Sequence, residues 1–348
     1  MKTDQSDLSL LPILLQYEKE KSTLIQSGLL QSDGKYKSHI ANPYYDKTIS
    51  VSPTNPRTVE GPVYTIPTES DIAKKLESKK SLYEMKVSQG FTRLQIVPNG
   101  LPIQTYLDQI SEEIIKQAKA NHGKPQTIVD PNNKTKTKVI TDYIYDTLDN
   151  PIELDINTPT YTWPGHIDNI WTTYDPTTKT QVPETQHTHN TGGFDLILLE
   201  EDNGKLIELP RAGAGATTTY KVRDSNGNII NKERKQIEAG QTGECYIKLF
   251  TDAQSDPTSP HHGEYGMNRQ SDLTLILHTL IQSQQMLGNY NNQSSCANYA
   301  LASQYMDGQS AVVSFSRWFA GVRRLVCDRQ AFDGSVLDGV PRVSVRVY

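Results

Sequence analysis

Histidine and carboxylate side chains supply the most suggestive chemistry in the sequence. In "QHTHN", His187 and His189 are separated by one residue, so on a strand both point to the same side, and Asp195 follows. "GHIDN" adds His166 and Asp168. Two imidazoles with a carboxylate are donors that hold a first-row metal in a cupin-like or oxygenase-like centre. Spacing fixes no further ligand, and the Thr, Gln and Asn around the pair equally describe a solvated loop. His261 and His262 in "SPHHGEYG" read as turn residues, and His278 as a packed or exposed residue beside a helical stripe. The expectation is no metal and no cofactor, with His187, His189 and Asp195 the one cluster to check.

Other catalytic patterns fail on their physical requirements. "RAGAGATTTY" has the glycines of a phosphate loop but lacks the Gly-Lys-Ser/Thr ending and the strand-then-helix setting that aim backbone amides at a phosphate. There is no Gly-x-Ser-x-Gly elbow. Cys245, Cys296 and Cys327 are odd in number and widely spaced, which suits neither a disulfide framework nor a CxxC site and makes a reducing compartment the default. No enzymatic activity is expected.

Bulk properties narrow the partners. With 348 residues the chain can bury an adequate core in more than one domain, and a formal charge of −5 gives no general attraction to nucleic acid or an anionic membrane. Tyrosine outnumbers phenylalanine, 18 to 6, which favours wet contact surfaces and hence binding. The opening "MKTDQSDLSLLPILLQYEKEK" places Asp4 and Asp7 before a short apolar run, so it reads as an amphipathic helix and not a signal peptide. No apolar run reaches the roughly 18 residues of a membrane span, so a cytoplasmic location is expected.

Periodicity places the elements. A helix over residues 7–27 would bury Leu10, Leu11, Leu14, Leu15 and Ile25. A second, capped by Ser70 or Asp71, would bury Ile72, Leu76, Tyr83 and Val87 as far as Gly90. "FTRLQIV" (91–97) is strand-like, and a helix from Pro102 carries Ile103, Leu107, Ile110 and Ile114 on one face. After residue 122 the composition turns to Thr, Asn, Asp and Pro, with "KVITDYIYDTL", "TYTWP" and "GFDLILLEE" as candidate strands. One strong helix follows, with Leu273, Ile276, Leu277, Leu280 and Ile281 in a stripe, Ser271 or Asp272 as its cap and Gly288 at its end. The tail closes on a half-buried strand that turns Val343, Val345 and Val347 inward.

Between that strand and Trp318 the residues follow no period. The segments "GFDLILLEED", "RKQIEAG" and "DLTLILHTLI", together with this tail, resemble the variable proteins of diversity-generating retroelements, which end in a C-type-lectin fold akin to the formylglycine-generating enzymes. In such tails a Trp or Tyr opens a hypervariable patch, an Arg pair precedes a short strand, and Gly-Val-Arg leads into a closing strand. Trp318, Arg323–Arg324 before "LVCD", and Gly339–Val340 before "VSVRV" follow that order, with Pro341 intervening before Arg342. The closely placed cysteine pair of the enzymes is missing, so the resemblance does not bring their oxidase activity with it.

The order of elements, with the resemblance for the second half, implies an α+β chain. A small N-terminal α+β unit (1–150) would precede a C-terminal C-type-lectin-like domain (151–348) of short strands, loops and one or two helices, variable over residues 305–345. Val313, Phe315, Leu325 and Cys327 would face inward, and Arg323 and Arg342 would be buried or bridging scaffold. The displayed set would be Ser314, Ser316, Trp318, Phe319, Gly321, Val326, Asp328, Arg329, Ala331, Phe332, Asp333 and Ser335. A patch of that size suits a macromolecular, protein-type ligand, and no acidic cluster calls for calcium. The alternatives are a structural part of a phage tail or injection apparatus and, behind it, a His-cluster metal enzyme.

Overall fold

In the computed structural model, which describes residues 10–41, 58–130, 133–162, 174–175, 180–181, 192–202, 205–206, 217–223, 229–235, 256–259, 261–287, 297–307, 310–319, 323–331 and 339–347, the first expected helix is two. They are α1 (Leu11–Leu14) and α2 (Tyr17–Gln26). Between them Gln16 turns its amide to a strand backbone: Nε2 donates to the Thr92 carbonyl at 2.7 Å and Oε1 accepts from the Leu94 amide at 3.0 Å. The second expected helix also divides, at Lys79, into α3 (Glu69–Ser78) and α4 (Lys80–Ser88). Its cap is Thr68, earlier than expected. Thr68 Oγ1 accepts from the Asp71 amide at 3.2 Å and Asp71 Oδ2 accepts from the Thr68 amide at 3.1 Å, a reciprocal box that satisfies two otherwise orphaned donors.

α5 (Ile103–Asn121) is the helix its sequence period describes, with Ile103, Leu107, Ile110 and Ile114 fully buried. α6 (Arg269–Ser283) begins one turn before the expected cap, because Asn268 Oδ1 accepts from the Ser271 amide at 2.7 Å. It ends at Gln284 in the left-handed region, short of Gly288. Every residue from Arg269 to Leu280 is buried, so α6 is a core helix enclosed on all sides and not a striped surface helix.

The described strands form hairpins and two larger sheets. The antiparallel pairs are β1 (Lys35–Ala41) with β2 (Thr58–Thr65), β4 (Gln126–Asp130) with β5 (Asn133–Ile140), β9 (Tyr174–Asp175) with β10 (Thr180–Gln181), and β13 (Thr217–Arg223) with β14 (Ile229–Lys235). A small sheet sets β6 (Tyr143–Asp146) between β7 (Pro151–Glu153) and β16 (Gln285–Met286). In the central sheet β11 (Gly193–Asp202) lies between β3 (Phe91–Asn99) and β21 (Val343–Arg346), so that Leu198 faces Leu94 on one side and Val345 on the other. β15 (Glu264–Gly266) follows β21, and β12 (Lys205–Leu206) pairs with the end of β11. The second large sheet runs β20 (Gly339–Pro341), β17 (Ala297–Asp307), β18 (Ser310–Phe319), β19 (Arg324–Ala331), β8 (Tyr161–Thr162).

Mixed helices and strands make this an α+β chain. The boundary expected at residue 150 does not divide its packing, however. β3 precedes that boundary and β11 and β21 follow it, yet the three share one ladder, and one hydrophobic cluster runs from Leu10 to Val347. The closing strand is also buried on both faces: Val343, Val345 and Val347 are inside as expected, but so is Ser344, whose Oγ donates to the Tyr265 carbonyl at 3.3 Å. The turns at the end of this sheet are tight. A Cβ on Gly192, at φ 82°, would lie 2.4 Å from the Tyr64 ring, so only glycine fits.

Two buried pairs dock helices onto this frame. Lys86 on α4 places Nζ 3.0 Å from Glu264 Oε1 on β15, with Gln89 Oε1 accepting from the same Nζ at 3.1 Å and His261 Nδ1 3.0 Å from Glu264 Oε2. Between α2 and α6, His278 Nδ1 lies 3.2 Å from Glu20 Oε2. Burial raises the Glu20 carboxyl, but His278 and Arg93 outweigh it and hold it below the usual range. Removing one partner of a buried pair strands the other, so Lys86→Met is expected to cost about 3–5 kcal/mol by urea unfolding, and Lys86→Met with Glu264→Gln distinctly less. Equal losses in the two variants would contradict this account.

Candidate functional site

The tail that carries no sequence period folds as the β17–β18–β19 part of the second large sheet. In the β18–β19 ladder Ser316 stands opposite Cys327 and Trp318 opposite Leu325. All four are buried, at 0%, 0%, 1% and 0% exposure in that order. Leu325 and Cys327 are therefore inside as expected, and Val326 between them is half-buried.

Ser316 and Trp318, expected to face outward, are corrected: both are buried, on the register of Cys327 and Leu325. The expectation sent the apolar Val313 and Phe315 inward and the serines outward. It missed that a buried carboxylate waits for a hydroxyl, and that an indole of this size fills core space that serine leaves. Trp318 Nε1 has no hydrogen-bond partner among the described residues, so the ring is held there by packing.

The carboxylate is Asp272, in the first turn of α6, to which the Ser316 hydroxyl donates a hydrogen bond. Around it the polar contacts converge from distant parts of the chain. Gln95 Nε2 on β3 donates to the Ser271 carbonyl at 2.8 Å, and Asn268 Nδ2 donates to Asp195 Oδ2 on β11 at 3.3 Å. Arg269 and Arg342 are buried at 1% and 4% exposure, and their charges act on Asp272. Burial nevertheless dominates and pushes the Asp272 carboxyl up to about 6, against the lowering effects of the Ser316 hydrogen bond, Arg342 and Arg269. Nothing in this cluster is open to a substrate; it locks α6, β18 and the final strand together.

The other expected scaffold arginine bridges at the surface. Arg323, at φ 53° in the turn before β19, places NH2 3.2 Å from Glu153 Oε1 on β7. The burial of Arg342 and the bridging of Arg323 agree with their expected scaffold roles.

Of the remaining expected positions, Ser314, Phe319, Asp328, Arg329 and Ala331 lie on β18 or β19, with Ser314 opposite Arg329 and Phe315 opposite Asp328. Gly321, Phe332, Asp333 and Ser335 lie outside the described residues. His187 and His189 also lie outside them, as do His166 and Asp168. Asp195, their expected partner, is 8% exposed and engaged by Asn268. Among the described residues no three His, Cys, Asp or Glu side chains are grouped to hold a metal, and no helix is long and apolar enough to cross a membrane. His261 and His262 stand in a turn, as expected.

Sequence reasoning missed the Asp272 cluster because Asp272 was taken as a helix cap. The available signal was a charged pair, Arg269 and Asp272, one turn apart at the head of an otherwise apolar helix. Comparison of the chain with family models, curated proteins and solved structures finds no match.

Two outcomes are expected. Trp318→Ala should destabilise by about 3–5 kcal/mol, as a core truncation does, where an exposed anchor would cost almost nothing. Asp272 binds its proton more tightly in the fold than at its ordinary 3.8. Its contribution is therefore fully present below pH 3.8, declines as pH rises to about 6 and is flat above, a change of about 3 kcal/mol. In Asp272→Asn that decline should vanish from the difference between unfolding free energies at pH 4.5 and pH 7, and an unchanged difference would remove Asp272 as its source.

Proposed function

We propose that this chain is a non-enzymatic binding protein whose C-terminal sheet, on a C-type-lectin-like scaffold, is diversified by a retroelement to recognise protein-type ligands. The observation that carries the reading is the alternation in β18 and β19. Ser316, Trp318, Leu325 and Cys327 are locked inward, which commits one set of register positions to the scaffold. The other set, Phe315 with Asp328, Arg317 with Val326 and Phe319 with Arg324, is then the set free to vary. Variation without period is tolerated when a rigid frame fixes the backbone and the varied side chains leave the core intact. The Asp272–Ser316 lock and the Arg323–Glu153 bridge are the parts of such a frame.

The earlier set of displayed residues is revised accordingly: Ser316 and Trp318 leave it, Ser314, Arg329 and Ala331 share their register, and Phe319, Val326 and Asp328 remain on the free register. Charge at Asp328, Arg317 and Arg324 with an aromatic at Phe319 supplies the mixture that interface anchors use.

The genomic test is direct. The bases encoding residues 310–345 should have a near-copy close by, differing almost only where that copy carries adenine, beside a reverse-transcriptase gene; absence of both sinks the retroelement reading. Within the protein, Arg317→Ser and Val326→Ser should each change unfolding stability by less than about 1 kcal/mol, while Leu325→Ala costs about 2–5 kcal/mol. Comparable losses in the two registers, measured by chemical denaturation, would end the division into frame and variable face.

A further inference from the structure

A cleft of about 280 Å3 opens between the last turns of α5 and α6 and the β6–β7 turn. It lies at the opposite end of α6 from Asp272, about 16 Å away along the helix at 1.5 Å per residue. Its position makes it separate from the β18–β19 face.

The lining is dominated by amides, with few free charges. Gln117 forms the floor at 7% exposure, and its Nε2 donates to the Leu280 carbonyl at 2.7 Å and to Glu113 Oε1 at 3.2 Å. The Leu280 carbonyl can only accept, so the amide orientation is fixed, and Oε1 is sealed under the floor without a partner among the described residues. At the rim, Gln285 Nε2 donates to Asp149 Oδ1 at 2.6 Å, and both Asp149 and Gln284 hold left-handed backbone, with φ 61° and 57°. Gln284 is the left-handed cap that ends α6, and Asp149 lies in the turn between β6 and β7. Glu113 is paired with Lys116 at 2.9 Å. Tyr145 and Ile281 contribute apolar surface to the same walls.

Closely spaced donors and acceptors beside a small apolar surface match a molecule whose hydroxyls both donate and accept around a C–H framework. A purely cationic ligand would meet Lys116, and an anionic one Asp149. We propose that this cleft binds a neutral, sugar-sized polyol, either free or as the end of a glycan.

The full chain is titrated with glucose, galactose, N-acetylglucosamine and cellobiose, with spermidine as a cationic control, by saturation-transfer NMR and calorimetry. At least one neutral probe is expected to bind in the millimolar range or tighter, with cellobiose favoured over glucose if the natural ligand is a glycan end. Ala120→Trp, at the exposed rim, should weaken that binding about tenfold or more without unfolding the chain. Glu112→Gln, exposed on α5 and outside the cleft lining, should change it less than about threefold. The proposal is overturned if no neutral probe binds at about 20 mM, if Ala120→Trp binds as the wild type does, or if spermidine alone binds.

Discussion

The architecture depends on β11 having a partner on both sides. A strand buried from Phe194 to Glu200 must satisfy its backbone amides and carbonyls within the sheet, and β3 and β21 do so from opposite ends of the sequence. Because residues 100–342 separate β3 from β21, the central sheet cannot close until that whole stretch is present. The C-terminal sheet inherits its position from that closure: Arg342, next to β21, and Asp272, on the helix that packs against β3, converge beneath Ser316.

α6 carries two buried carboxylate contacts of opposite electrostatic character. At its head, burial wins and the Asp272 carboxyl favours its proton. Along its length, Glu20 of α2 meets His278 and Arg93, and its charged form wins. The first contact is stronger in acid and the second is lost there, so the helix is gripped by contacts that do not fail together. A third buried pair, Lys86 with Glu264, ties α4 to β15, and it needs both members for the reason that neither charge reaches water.

Much of the fold was legible where local rules decide it. The period of Ile103, Leu107, Ile110 and Ile114 described α5, and the alternation of Val343, Val345 and Val347 described an inward face. What failed was phase and partnership. Ser316 is buried because of a carboxylate far away in sequence, and no pattern within "AVVSFSRW" announces that partner. The domain boundary at residue 150 followed a change in composition that begins after residue 122, whereas the sheet is assembled across it by pairing between β3 and β11. Gln16, Thr68 and Asn268 were passed over for the same reason in miniature: each acts through a side-chain amide or hydroxyl on a specific backbone group. The candidate binding face was legible as an irregular stretch, but which half of it belongs to the frame required the ladder.

The Gln16 amide has a further meaning. Among the described strands β3 pairs with β11 alone, and a strand at an edge offers backbone groups to another chain. By occupying the Thr92 carbonyl and the Leu94 amide, a single side chain imitates one residue of a neighbouring strand. The short break between α1 and α2 thus covers one residue's worth of that border from within the chain, at the cost of one uninterrupted helix.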